Sequence, residues 1–117
     1  CYDVEFADLV RHVADAGVEL LLVPTANPAG YEIVSDALIP ARAAETGLIV
    51  AYANVCGVEA GLAYAGRSLI VGPDGRTLAA AGNAESLLVA ALPSAEAIAA
   101  MMLSTQAADR RPLPRRG

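Results

Sequence analysis

Two cysteines, Cys1 and Cys56, and one histidine, His12, are the side chains of this chain best suited to covalent or proton-transfer chemistry. Cys1 opens the stretch "CYDVEF", and the apolar spacing predicts a helix from Phe6 onward. A thiol beside a helix N-terminus is biased toward the thiolate, the form that attacks carbon. By position alone, a small apolar side chain packed among apolar neighbours remains the simpler reading. A Cys1/His12 dyad is the obvious alternative chemistry. His12, however, sits on the helix that leads away from the thiol, so a surface position is expected for it. Asp3, Glu5 and Arg11 read better as a buried ion pair that orients the turn after Cys1 than as an acid and base set. Cys56 reads as a packed or loop thiol. No CxxC spacing or Cys/His cluster suits zinc, and no metal or organic cofactor is expected.

Several elements must position that thiol. Phe6, Leu9, Val10, Val13 and Ala14 repeat at i, i+3, i+4, i+7, i+8, which predicts a helix over about residues 6–16, closed by Gly17. "VELLLVP" is a continuous apolar run ended by Pro24, the pattern of a central strand covered on both faces. "TANPAG" has turn composition. "YEIVSDALIPARAAETG" predicts a helix that Pro40 starts or kinks and Gly47 ends. "LIVAYAN" repeats the buried-strand pattern, and strand, helix, strand in that order implies a right-handed crossover and an α/β fold. "GRSLIVG", "PDGR" and "TLAAAG" predict a β-hairpin. "ESLLVAALP" predicts a further buried strand, and "SAEAIAAMMLS" a helix capped by Ser94. Residues 1–106 are expected to belong to one domain, and the polar, proline-bearing residues 107–117 to form a tail.

Composition excludes other classes. The 117 residues are 56% hydrophobic, enough to form a core. The apolar runs fall far short of the roughly 20 residues that span a bilayer, and the acids in residues 1–8 do not fit a secretory signal. The net charge of −5 and pI of about 4.6 argue against a nucleic-acid partner. Four of the eight basic residues crowd into "RRPLPRRG", which reads as a solvated tail. A reducing, cytoplasmic setting is expected.

"CYDVEF", Arg11, "AGVELLLVPTAN", "IPARAAETGLIVAYANVCG" and "YAGRSLIVGPDG", in this order, resemble the C-terminal half of a nitrilase-superfamily carbon–nitrogen hydrolase, and most closely its amidase branch. The resemblance implies half of a four-layer αββα sandwich. It implies that Cys1 is the nucleophile, attacking a small amide or nitrile to form a thioester that water then hydrolyses. Tyr2 would lend its backbone N–H to the oxyanion hole. Pro24, Thr25, Ala26 and Asn27 would line the pocket without doing chemistry, and Glu59 is a further pocket candidate.

The family's general-base glutamate and oxyanion-supporting lysine lie upstream of the nucleophile, and this chain contains no lysine. The expectation is that the chain begins partway through an enzyme domain, is inactive alone, exposes apolar surface, and belongs to a protein that dimerises at full length. Phe6, Ala7, Asp8 stand where the family commonly has Phe-Pro-Glu, and Val55, Cys56 stand within its usual Asn-Arg-x-Gly. Arg42 and Glu45 are expected to form a structural or subunit-interface ion pair. Two other readings stay open: a non-catalytic half-domain that needs a separate N-terminal half, and an N-terminal-nucleophile hydrolase using the α-amine of Cys1 as base.

Overall fold

The computed structural model describes residues 1–116. The apolar stripe that begins at Phe6 winds into helix α1, Ala7–Asp15, with Val10 buried beneath it. A short 3-10 turn, Tyr2–Glu5, leads into it from Cys1. Strand β1, Leu20–Thr25, follows. The predicted second helix forms in two parts, a π-helical turn at Val34–Leu38 and helix α2 at Ile39–Thr46. Pro40 accounts for the change: it has no N–H for the ladder, and its ring clashes with the carbonyl four residues back unless the turn widens. Gly47 ends α2 in the left-handed region, with φ of 75°, and donates its N–H to Ala43 at 2.8 Å.

Strand β2, Ile49–Asn54, pairs parallel with β1, as the crossover requires. The hairpin predicted around Pro73, Asp74 and Gly75 joins β5, Leu69–Val71, to β6, Thr77–Ala80, with a register shift after Ile70. Between these pairs lies a second hairpin that the sequence reading left as loop: β3, Cys56–Glu59, and β4, Leu62–Ala65. It forms a separate two-stranded sheet.

The main sheet has the order β1-β2-β5-β6. Strand β1 is therefore an edge of this sheet, not its centre, and Leu22 is 66% exposed. An apolar run marks a strand buried by some neighbour without saying which, so centrality did not follow from it. Helices α1 and α2 cover one face, where Val4, Val10, Val23, Val34, Ile39, Ala43, Leu48, Val50, Tyr52, Leu69 and Val71 make the core. Leu20 and Leu22 look out from the other face of β1. The molecule measures 19 Å in its thinnest dimension, the depth of one helical and one sheet layer. The expected exposed apolar surface is present.

The strand predicted in "ESLLVAALP" does not form. Residues 85–94 carry no ladder, and Leu87 and Val89 are 88% and 82% exposed. The run is apolar enough for a strand, but among the described residues no strand edge receives it, and a strand needs a partner for its backbone groups. Helix α3, Ala95–Ala99, is shorter than predicted but keeps its cap: Ser94 Oγ accepts the N–H of Ala97 at 3.1 Å. Within the polar segment after Thr105, Gln106–Asp109 forms a short helix, α4, and Arg110 pairs with Asp15 at 2.7 Å.

Candidate active site

Cys1 is exposed and caps the 3-10 turn, whose first N–H groups, beginning with that of Tyr2, have no acceptor inside so short a helix. The turn is anchored from below by buried Val4 and flanked by an edge-to-face contact of Tyr2 with Phe6, ring centroids 4.9 Å apart. Its trailing carbonyls lie between two helical segments and need partners. Arg42 of α2 supplies them: Nε donates to the carbonyl of Val4 at 3.1 Å and Nη2 to that of Glu5 at 2.9 Å. Its Nη1 is held by both carboxylate oxygens of Glu45, at 3.2 and 3.1 Å. The planar guanidinium suits this forked duty, where an ammonium would not. The ion pair expected among Asp3, Glu5 and Arg11 is thus not what orients the turn. Arg11 instead donates to the backbone carbonyl of Glu45.

The thiol meets the C-terminal end of β1, where Thr25 Oγ1 lies 2.6 Å from Cys1 Sγ. Strand alternation explains the encounter: Leu21, Val23 and Thr25 share the face that looks toward the helices. Pro24 points the other way and is exposed, as is Ala26. Asn27 is half-buried and held through its N–H, its carbonyl and its side-chain nitrogen. Its N–H donates to Asn54 Oδ1 at 2.7 Å, its carbonyl accepts from Asn54 Nδ2 at 3.2 Å, and its own Nδ2 donates to the Tyr31 carbonyl at 3.1 Å. Asn54 Nδ2 also donates to the Gly66 carbonyl at 2.9 Å, and the Asn54 N–H donates to Ser68 Oγ at 2.8 Å. One side chain at the end of β2 therefore ties the loop after β1 to the segment after β4.

Tyr52 lies beneath this cluster, 3% exposed, opposite Val23 in the parallel register. Burial pushes its phenol above the ordinary value, while hydrogen bonding with the Asn27 and Thr25 side chains pulls the other way and the Glu5 charge adds to the rise. A cavity of about 260 Å³ opens beside Cys1 between α1 and β1, walled by Leu9, Val10, Val13 and Leu21.

Cys1 and Thr25 are thus brought together, and Asn27 follows in the loop that Asn54 holds. Glu59 is not among them: it is exposed at the end of β3 and takes part in none of the hydrogen bonds that join the Cys1 and Thr25 cluster. His12 is exposed on α1, and Cys56 lies half-buried on β3 opposite Ala65. Among the described residues, no three His, Cys, Asp or Glu side chains gather as a metal-binding group, and no helix is long and apolar enough to cross a membrane. Sequence reasoning missed Asn54 and Tyr52. The signal was there: a polar residue closing an apolar strand, and a hydroxyl inside one, must each find a partner when buried.

Comparison with known proteins identifies the chain's relatives. A hydrolase encoded in the pqqF 5′ region of Pseudomonas protegens is 46% identical over 112 residues, covering 96% of this chain and 39% of its own length. An (R)-stereoselective amidase of Pseudomonas sp. is 38% identical over 86 residues, 73% of this chain and 31% of its own. A solved structure of an amidase from Nesterenkonia sp. AN1, carrying acrylamide on its active-site cysteine, superposes with a TM-score of 0.77 at 49% identity, over 80% of this chain and 37% of that one. The chain spans well under half the length of each of these relatives. The carbon–nitrogen hydrolase profile matches residues 1–101, and the chain belongs to that family.

Proposed function

We propose that this chain is the nucleophile-bearing part of a nitrilase-superfamily amidase that converts a small amide to its acid and ammonia. The observation that carries the proposal is the thiol of Cys1, exposed at the head of a 3-10 turn and facing the carboxyl end of β1 within a span that matches the family. Cys1 Sγ attacks the amide carbon, the C–N bond breaks with a proton delivered to the leaving ammonia, and water cleaves the thioester to restore the thiol. The backbone N–H of Tyr2 stabilises the oxyanion. Pro24, Thr25, Ala26 and Asn27 line the pocket, with Glu59 brought to it only by a movement of the β3–β4 hairpin. A general-base glutamate and a lysine come from a segment outside this chain, which has no lysine. Residues 1–106 form the catalytic unit's C-terminal part, and 107–117 its tail.

The whole protein is a homodimer in this proposal, and the two free cysteines fit a reducing, cytoplasmic setting. The absent lysine also favours a second reading for the 117 residues by themselves, a half-domain without activity. Ammonia release should be measured on a panel of small aliphatic amides with the full-length protein, its Cys1→Ala variant, and the 117-residue chain. Release by the full-length protein alone is expected. Equal release by the Cys1→Ala variant would overturn the assignment of the nucleophile.

A further inference from the structure

We propose that Thr25 is a participant in the reaction rather than a pocket wall: its hydroxyl is the hydrogen-bond donor that holds the Cys1 sulfur once the thiol has lost its proton. This rests on Cys1 being the nucleophile. The first observation is the contact itself, Thr25 Oγ1 against Cys1 Sγ, in which either atom can donate while the thiol is neutral. When the thiol proton passes to the general base, a carboxylate outside this chain, the sulfur keeps the electron pair and can only accept. The Thr25 O–H bond stays intact and simply turns toward the sulfur. A hydrogen bond to an ionised partner is about twice as strong as a neutral one, so the contact favours the attacking form over the resting form.

The second observation is that Thr25 is held for this duty. It is β-branched and stiff about its first side-chain torsion. Its carbonyl accepts the Val55 N–H at 3.2 Å, and its strand position is fixed opposite Asn54. Behind it lies Tyr52, buried and paired opposite Val23 in the parallel register. The one O–H of Thr25 is thereby held where it can donate to the sulfur. A valine in place of Thr25 would pack in the same space and do none of this.

The charged side chains on the elements packed around the thiol are Asp3 and Glu5 on its own turn, Asp8 and Arg11 on α1, and Arg42 and Glu45 on α2. All remain in every variant below, so differences between variants report Thr25.

The test is the pH dependence of Cys1 alkylation by iodoacetamide in the full-length protein, with Cys56 replaced by serine and the Cys1 peptide followed by mass spectrometry. Ammonia release from a small amide is followed alongside. Thr25→Val and Thr25→Ala are expected to move the alkylation profile up by about one pH unit, on the order of a tenfold loss of thiolate at neutral pH. They should lower kcat with little change in KM. Thr25→Ser should restore the profile. A wild-type profile in whichever of the Val and Ala variants folds, or a serine variant that behaves like valine, would overturn the proposal. If the profile moves with Thr25 but no amide is hydrolysed, the thiol contact stands and the amidase reading fails. Amide hydrolysis with an unmoved profile means the reverse.

Discussion

The guanidinium of Arg42 reaches from α2 to the carbonyl of Val4, 3.1 Å away, and on to that of Glu5 at 2.9 Å, so the turn that presents Cys1 is fastened to a helix thirty-odd residues downstream. Truncation at Arg42 leaves two carbonyls and Glu45 without their partner, the Val4 carbonyl in a buried position. Arg42→Met is expected to lower unfolding stability by about 3 kcal/mol, since each unpaired buried acceptor costs roughly 1–3 kcal/mol. Arg42→Lys should recover only part, because an ammonium cannot span both carbonyls. Urea unfolding followed by circular dichroism reads this as a lower midpoint at unchanged slope. A loss below about 1 kcal/mol would mean that water replaces the guanidinium.

Tyr52 makes a prediction for alkaline solution. Its phenol is raised above the ordinary value of 10.0, first by burial, so the neutral form is favoured in the fold. The unfolded chain ionises first as pH rises. The stability contributed is therefore whole below about pH 10 and is lost as pH climbs through the folded value. In Tyr52→Phe, the fall of the unfolding midpoint above that pH should flatten, and the last phenol to ionise in an ultraviolet titration should vanish. An unchanged titration curve would contradict the assignment.

Much of this fold was legible because periodicity reports what a chain must bury. The stripe from Phe6 to Ala14, the two apolar strands, and the Pro73 to Gly75 turn all formed where the residues called for them. What failed was knowledge of neighbours. "VELLLVP" and "ESLLVAALP" look alike as strings, yet the first pairs along one edge and the second pairs with nothing among the described residues. Cys1 and the loop Pro24–Asn27 could be located from motifs. Asn54 and Arg42 could not be assigned their tasks, because a hydrogen bond to a backbone carbonyl 27 or 38 residues away leaves no spacing to read.

The missed β3–β4 hairpin turns through Ala60 and Gly61, at φ of 50° and 80°, the pair of left-handed residues that a two-residue type I′ turn demands. Alanine is poorly suited to that conformation and asparagine tolerates it. Ala60→Asn should stabilise the protein by about 0.5–1 kcal/mol. Gly75 makes the opposite case: φ is 83° and an added Cβ would stand 2.9 Å from Ala44 Cβ. Gly75→Ala should cost about 2 kcal/mol or more, because strain and overlap add. Thermal melts of the two variants should move in opposite directions.

Asn54 allows a sharper test, since its two ends do different work. Oδ1 accepts from the Asn27 N–H, while Nδ2 donates to the carbonyls of Asn27 and Gly66. Asn54→Ala removes all three bonds and should cost about 2 kcal/mol, with catalysis weakened because the loop bearing Thr25 and Asn27 loses its tie. Asn54→Asp keeps the acceptor but turns the other oxygen, ionised, toward two carbonyls. At neutral pH it should therefore be worse than alanine. Protonation of that carboxyl gives back one O–H donor, and the carbonyls facing it raise the pH at which this happens. The aspartate variant should accordingly gain on the alanine variant as pH falls, and midpoints of the two measured side by side from neutral to acid pH should converge or cross. Parallel curves would mean that the Nδ2 bonds contribute nothing.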